Sequence, residues 1–202
     1  GDTLDLLRGR IVVLSLLAWL PLALLAAFEG RLLPGTATVP FLLDVEVHVR
    51  YLLAVPLMVV AELVVHQRMR AVPQQFLGRK LVPEAARAQF DAAVASVARL
   101  RNSVLAEILI IAFVYGVGLF VVWRNYVALD ANTWYATTSA AGSKLSLAGM
   151  WYGYVSLPLF QFLLVRWYFR LFIWARFLWQ VSRIELSLIP THPDRLGGLG
   201  FL

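Results

Sequence analysis

Four ionisable side chains lie inside or beside long apolar segments of the sequence: Glu62, Glu107, Arg166 and Arg170. A charge at the centre of a bilayer costs about 2.5–3.5 kcal/mol on insertion scales, so such groups pair with one another or face water. The two arginines are four residues apart, which places both guanidinium groups on one face of a helix. We expect all four residues to lie at one depth near the inner leaflet, and we call them the charge band.

Three roles for the charge band follow from these residue types. Glu–Arg pairs could fix the packing of neighbouring helices, with the arginines extending toward lipid headgroups. The same residues could line a permeation path or bind a proton on it. Clustered arginines near the inner leaflet also suit the headgroups of anionic lipids. The sequence leaves these three alternatives open.

A second group of polar residues alternates with valines at Asp44, Glu46, His48 and Arg50. On a helix, Asp44 and His48 form one i, i+4 pair, and Glu46 and Arg50 form another. The acids and the histidine could hold a divalent metal or act as a pH-sensitive gate, since histidine titrates near neutral pH. One histidine and two carboxylates are a generic set, however, so we predict a salt-bridged helix start on the outer side and no metal.

The C-terminal segment combines His192, Asp194 and Arg195 with three glycines, and it ends on the apolar pair Phe201 and Leu202. A glycine-rich loop beside these side chains could bind phosphate on the inner side. The spacing matches neither a P-loop nor a dinucleotide-binding fingerprint. We therefore predict a structured turn that leads into another membrane element, and the apolar ending leaves open whether the native chain continues past Leu202.

This ending, THPDRLGGLGFL, follows a long segment rich in aromatic residues and arginine. Together they resemble a family of uncharacterised bacterial multi-pass membrane proteins. The resemblance is confined to the C-terminal part of the chain. It implies a bacterial inner membrane, and it implies no activity, cofactor or site.

The composition independently indicates a membrane protein. Of 202 residues, 60% are hydrophobic and 15% are charged, none is cysteine, and the mean hydropathy is +0.74. Soluble domains have about 45–50% apolar and about 25% charged residues. These values exclude a water-soluble globule, a disordered chain and a disulfide-stapled secreted module. Without cysteine, thiolate metal sites are excluded as well, and we expect no cofactor.

The apolar segments must supply the elements that position the charges. A bilayer crossing needs about 20 apolar residues. We predict crossings at residues 11–28, 45–65, 104–123 and 150–177, with an amphipathic cytoplasmic helix at residues 83–103. An apolar stripe at helical spacing supports this helix, namely Phe90, Val94, Val97 and Leu100. The predicted fold is all-α: a single transmembrane domain over residues 1–202, a bundle of four helices with a cytoplasmic helical extension.

Basic residues set the expected orientation. Most of the 18 arginines and lysines lie before the first crossing, between the second and third, or after the fourth. The positive-inside rule then places both termini in the cytoplasm. The net charge of +6 reflects this topology, so we expect no nucleic-acid partner.

These expectations favour a subunit of an oligomeric channel or transporter in a bacterial inner membrane. Because four helices barely enclose a pore, we expect a homo-oligomer surrounded by membrane lipids. One alternative is a non-transporting scaffold or accessory subunit, whose basic cytoplasmic segment binds a protein partner or anionic lipid. Another is an enzyme acting on lipid headgroups, with His192 and Asp194 as acid–base groups near Arg195. The enzyme is the least favoured, because no recognised catalytic arrangement is present.

Overall fold

The computed structural model describes residues 2–35, 37–117, 133–139, 142–188, 195 and 197–201. The described chain is mostly helical. Its α-helices are α1 (Asp2–Phe28), α2 (Val45–His48), α3 (Val55–Gly78), α4 (Arg87–Arg101), α5 (Val104–Phe113), α6 (Leu147–Trp151) and α7 (Leu157–Val181). Two short 3₁₀ turns (Phe41–Leu43 and Glu84–Ala86) and two strands, β1 (Ala136–Ser139) and β2 (Gly142–Leu145), complete it.

Two π-helical segments join shorter helices into longer ones. Val49–Ala54 connects α2 to α3, and Tyr152–Ser156 connects α6 to α7. Among the described residues, three helices are thereby long and apolar enough to cross a membrane: Leu7–Phe28, Val45–Gly78 and Leu147–Val181. A fourth is added if Glu84–Arg101 and Val104–Val117, which are bent by 49° relative to one another, count as one span.

The predicted apolar helices are present, but several of their boundaries differ. The second predicted crossing, residues 45–65, begins where the helix begins, yet the helix continues to Gly78. The cytoplasmic helix predicted at residues 83–103 corresponds to the 3₁₀ turn and α4. It does not run straight into α5, because Ser103 accepts the amide hydrogen of Ala106 and begins a new helix there. Residues 118–132, the end of the third predicted crossing, lie outside the described residues.

The all-α prediction misses a small β-hairpin. β1 and β2 pair antiparallel, from Ala136 opposite Leu145 to Ser139 opposite Gly142. A single parallel bridge also joins Val39 to Thr133. Each strand has four residues, which is too short for the alternation of polar and apolar residues that identifies a strand in a sequence.

Contacts divide the chain into two compact units. The first unit comprises Gly1–Val60 and Ile108–Arg166, and the second comprises Ala61–Glu107 and Trp167–Leu202. The division falls inside α3, α5 and α7, so each of these helices contributes to both units. The prediction of a single transmembrane domain stays a prediction.

In the first unit, neighbouring elements pack closely against α1. Small side chains on one face of α1, Ala18 and Ala26, are fully buried with Leu22, and they pack in one cluster with buried aromatic residues that include Trp134 and Tyr152. Small residues allow neighbouring backbones to approach closely. At Gly149 the approach is closest, because a Cβ atom there would lie 2.0 Å from the carbonyl oxygen of Tyr135.

In the second unit, three phenylalanine rings contact one another in the core. Phe76 of α3 contacts Phe90 of α4, and Phe90 contacts Phe177 of α7, with ring centroids 5.5 and 6.2 Å apart. Val94 and Val97 of the predicted stripe are partly buried against the same core. These contacts fix α4 beside α3 and α7 within the second unit.

Candidate functional site

An ion pair joins two long helices within the second unit. Arg170 of α7 donates from Nη2 to Glu62 Oε1 of α3 at 2.5 Å, and from Nη1 to the Glu62 carbonyl oxygen at 3.4 Å. The side chain of Glu62 is 15% exposed and that of Arg170 is 21% exposed. At this burial the attraction is stronger than in water, and leaving either charge unpaired would be costly.

The other two members of the predicted charge band are Glu107 and Arg166. Glu107 is exposed in the first turn of α5, where a carboxylate is stabilised by the helix dipole. Arg166 is half-buried and belongs to the first unit. The structure therefore brings together Glu62 and Arg170, and the four-residue band stays a prediction.

A cavity of about 480 Å³, here called the ion-pair cavity, borders Glu62 and Arg170. Its lining includes both partners together with Arg68 and Gln75 of α3 and Trp167 of α7. The Oε1 atom of Gln75 is buried and has no hydrogen-bond partner among the described residues. Buried carbonyl groups are usually satisfied, so this atom marks a position where water or a polar solute would be favoured.

A second cavity of about 320 Å³, here called the groove, lies between α3, α4 and α7. Most of its lining is apolar, including Val94 and Val97 of α4 and Ile173, Trp174 and Phe177 of α7. Three basic residues also line it, one on each helix: His66, Arg101 and Arg170. The groove is thus an apolar cavity with a basic part.

The three basic residues lie at one end of the groove. His66 and Arg170 precede the other lining residues on α3 and α7, whereas Arg101 follows them on α4. The N-terminal end of α4 packs against later parts of α3 and α7, through Phe90. Helix α4 therefore runs opposite to both, which brings Arg101 to the same end as His66 and Arg170.

The cluster of Asp44, Glu46, His48 and Arg50, predicted on the outer side, is engaged in internal contacts of the first unit. Asp44 accepts hydrogen bonds from the Val47 amide at 3.3 Å and from Trp134 Nε1 at 2.8 Å. His48 accepts at Nδ1 from Trp19 Nε1 at 2.9 Å. A ring that accepts at Nδ1 carries its proton on Nε2 when neutral, and Nε2 lies 3.3 Å from the Leu42 carbonyl oxygen.

Arg50 completes this cluster. It forms the i, i+4 ion pair with Glu46, donates to the Tyr152 hydroxyl at 2.5 Å, and lies over the ring of Phe160. Among the described residues, no group of three or more histidine and acidic side chains is arranged to hold a metal ion. The side chains of Asp44, Glu46 and His48 instead stabilise the start of the helix.

Two charged residues with structural roles are absent from the sequence-based predictions. Arg31 donates to the carbonyl oxygens of Thr133 and Ala136 and to the Thr137 hydroxyl, at 2.7–3.3 Å. Glu29 accepts the amide hydrogens of Leu147 and Ala148 at the start of α6. Their position directly after an apolar helix is the only sequence signal for these roles, and it does not name their partners.

The predicted inner-loop site is described only in part. His192 and Asp194 lie outside the described residues, and Arg195 is exposed. The segment that follows packs on the second unit: Arg79 donates to the Gly198 carbonyl oxygen at 3.1 Å and lies 4.9 Å from the centroid of the Phe201 ring.

Comparisons with known proteins give no relative for this chain. No protein-family model, no curated protein and no solved structure matches it significantly. The function must therefore be argued from the geometry of the described residues.

Proposed function

We propose that this chain is a subunit of an oligomeric channel or transporter in a bacterial inner membrane. In this proposal it crosses the bilayer four times, with both termini in the cytoplasm. One observation carries the proposal: the ion pair of Glu62 and Arg170 joins two helices of membrane-spanning length and lines a cavity of about 480 Å³.

The physical reason lies in the cost of charges inside a membrane. Ionisable residues within spanning helices are rare, and they mark ion paths, substrate paths and proton relays. In this pair, a cation entering the ion-pair cavity would compete for Glu62, whereas an anion would compete for Arg170. The ion pair would therefore act as a neutral gate that an ion opens by replacing one partner.

The proposal includes a homo-oligomer because the described cavities are small and lie within one chain. Large apolar side chains are exposed on α5, including Val104, Leu105, Ile108 and Leu109. Exposed apolar surfaces of this kind mark contacts with lipid or with another protein. In the proposal, a second copy of the chain packs on this surface.

Ion flux across liposomes tests this function. Purified protein is reconstituted, and cation, anion and proton fluxes are measured for the wild type, Glu62→Gln and Arg170→Gln. Removing the carboxylate leaves a net positive charge, so Glu62→Gln should lower the ratio of cation to anion flux about tenfold. Arg170→Gln should shift the ratio in the opposite direction.

Glu84→Gln is the matched control, because it removes the same charge from an exposed position ahead of α4 that lines neither cavity. Its flux should equal that of the wild type, and size-exclusion profiles should show that all variants assemble alike. Absence of flux in the wild type under several ion gradients, or identical selectivity in all variants, would contradict the proposal.

An accessory role is the second candidate, favoured by the exposed basic residues Lys80 and Arg87. Neighbouring Arg79 already contacts Gly198 and Phe201, so its neutralisation would also disturb the fold. Loss of a co-purifying partner from the Lys80→Gln, Arg87→Gln double variant would support this role. Retention of the partner would contradict the accessory role. The headgroup enzyme gains no support, since its proposed acid–base residues lie outside the described residues.

A further inference from the structure

We propose that the groove of the second unit binds an acidic phospholipid. One acyl chain would lie between α4 and α7, and the phosphate would lie at the basic end formed by His66, Arg101 and Arg170. This site is distinct in function from the proposed ion gate. It would make the protein dependent on anionic lipid whether or not the protein conducts ions.

Charge complementarity selects an anionic ligand. Within the described part of the chain, no aspartate or glutamate lines the groove, whereas two arginines and a histidine do. Arg170 is paired with Glu62, whereas Arg101 is exposed, with a 3.3 Å contact from Nε to the side chain of its neighbour Asn102. Guanidinium groups bind phosphate oxygens through paired hydrogen bonds.

The apolar walls select an acyl chain. From the basic end, the groove runs past Val97 and Val94 on α4 and past Ile173 and Phe177 on α7. Ligand cavities range from about 300 to 1,000 Å³, so a volume of about 320 Å³ suits one chain and leaves the second chain outside.

A phospholipid is favoured over a soluble anion or a peptide by where the groove begins in the proposed topology. The basic end lies at the inner membrane surface, so a phospholipid there would keep one acyl chain in the bilayer while the other enters the groove, which continues toward the cytoplasm. Helices of spanning length, with large exposed apolar side chains, are surrounded by lipid, and a ligand present at such high concentration fills even a site of modest affinity. Tryptophan residues such as Trp174, which lines both the groove and the ion-pair cavity, are enriched at the level of lipid headgroups.

Native mass spectrometry tests the lipid site on the full chain in detergent. The probes are phosphatidylglycerol and phosphatidylcholine with identical acyl chains, added to delipidated protein. Arg101→Gln should lower the bound fraction of phosphatidylglycerol at least fivefold. Arg99→Gln is its matched control, because Arg99 is exposed on the same helix and does not line the groove.

A second pair of variants tests the acyl-chain part without changing charge. Ala98 lines the groove, so Ala98→Phe should fill it and lower binding by a similar factor. Ala95→Phe adds the same ring at an exposed position on α4 outside the groove and should leave binding unchanged. None of these four variants alters Glu62 or Arg170, so the ion-flux test and the lipid test can fail separately.

Three results would overturn the proposal. An equal loss of phosphatidylglycerol binding in Arg101→Gln and Arg99→Gln would show general attraction of the lipid to a basic surface. Equal binding of phosphatidylcholine and phosphatidylglycerol would remove the role of charge. A dimer that is lost specifically in Ala98→Phe, without any lipid adduct in the wild type, would make the groove an interface between copies of the chain.

Discussion

The two units use the same residue types in different ways. In the first unit, Asp44 and His48 are hydrogen-bonded to the indoles of Trp134 and Trp19, and Glu29 caps α6. In the second unit, Glu62 and Arg170 also pair, but they do so on the wall of a cavity. Polar side chains in the first unit therefore hold the fold, whereas those in the second unit face space that a ligand can enter. The comparison predicts that substitutions in the first unit change stability, and that substitutions in the second change binding or flux.

The largest expected loss of stability is the one caused by Gly149→Ala in the first unit. Its Cβ would lie 2.0 Å from the Tyr135 carbonyl oxygen, so backbone must move, and overpacking of this kind destabilises by about 3 kcal/mol. Thermal unfolding in detergent, followed by circular dichroism, measures the loss. Gly9→Ala is the control: nothing lies within 4 Å of its Cβ, so its melting temperature should equal or exceed that of the wild type. An unchanged melting temperature in Gly149→Ala would refute the close approach.

Trp134→Phe should have the next largest effect. Trp134 is fully buried, and its indole donates to Asp44 at 2.8 Å. Losing a hydrogen bond to a charged group destabilises by about 1.5–3 kcal/mol. Trp179→Phe is the matched control in the second unit, because Trp179 is exposed. A similar fall in melting temperature for both variants would contradict the proposed difference between the units.

The ion pair itself should contribute a smaller amount to stability. A double-mutant cycle with Glu62→Gln, Arg170→Gln and the combined variant should give a coupling energy of about 1–2 kcal/mol. The value stays modest because both side chains keep some exposure, and solvent weakens such pairs. A coupling above the loss caused by Trp134→Phe would make this pair a structural element, like those of the first unit.

Helical periodicity explains which parts of the fold could be predicted. Long apolar segments such as residues 11–28 specify helices by composition alone, and the stripe through Phe90 and Val94 specifies the buried face of α4. The hairpin could not be predicted from strands of four residues. The π segments could not be predicted either, because each spans only five or six residues and the i→i+5 hydrogen bonds that define it are not visible in a sequence.

The candidate site was predictable only in its residue types. Apolar surroundings identify Glu62 and Arg170 as unusual charges, but their pairing depends on the relative rotation of α3 and α7. Likewise, nothing in the sequence places Arg101 at the same end of a groove as Arg170, because that requires the antiparallel packing of α4. Spacing within one helix is local information, whereas these contacts join residues far apart in the chain.

The smallest expected effect on stability concerns the C-terminal ends of α1 and α3, which share one backbone geometry. After α1, Gly30 has a φ of +67°, its amide bonds to Ala27, and the next amide bonds to Ala26. After α3, Lys80 has a φ of +55°, with the corresponding bonds to Leu77 and Phe76. Both are left-handed terminating turns, but in the second unit a lysine occupies the position that favours glycine.

Lys80→Gly should therefore be more stable than Lys80→Ala by about 1 kcal/mol, since the left-handed conformation strains any residue with a Cβ. Both variants remove the same charge, so their difference in melting temperature measures the strain of the left-handed backbone conformation. In the first unit, Gly30→Ala should lower the stability by a similar amount. If Lys80→Gly and Lys80→Ala melt together, the turn does not strain the second unit. If they differ as expected, a basic side chain occupies a strained position in a segment whose proposed cytoplasmic location favours basic residues.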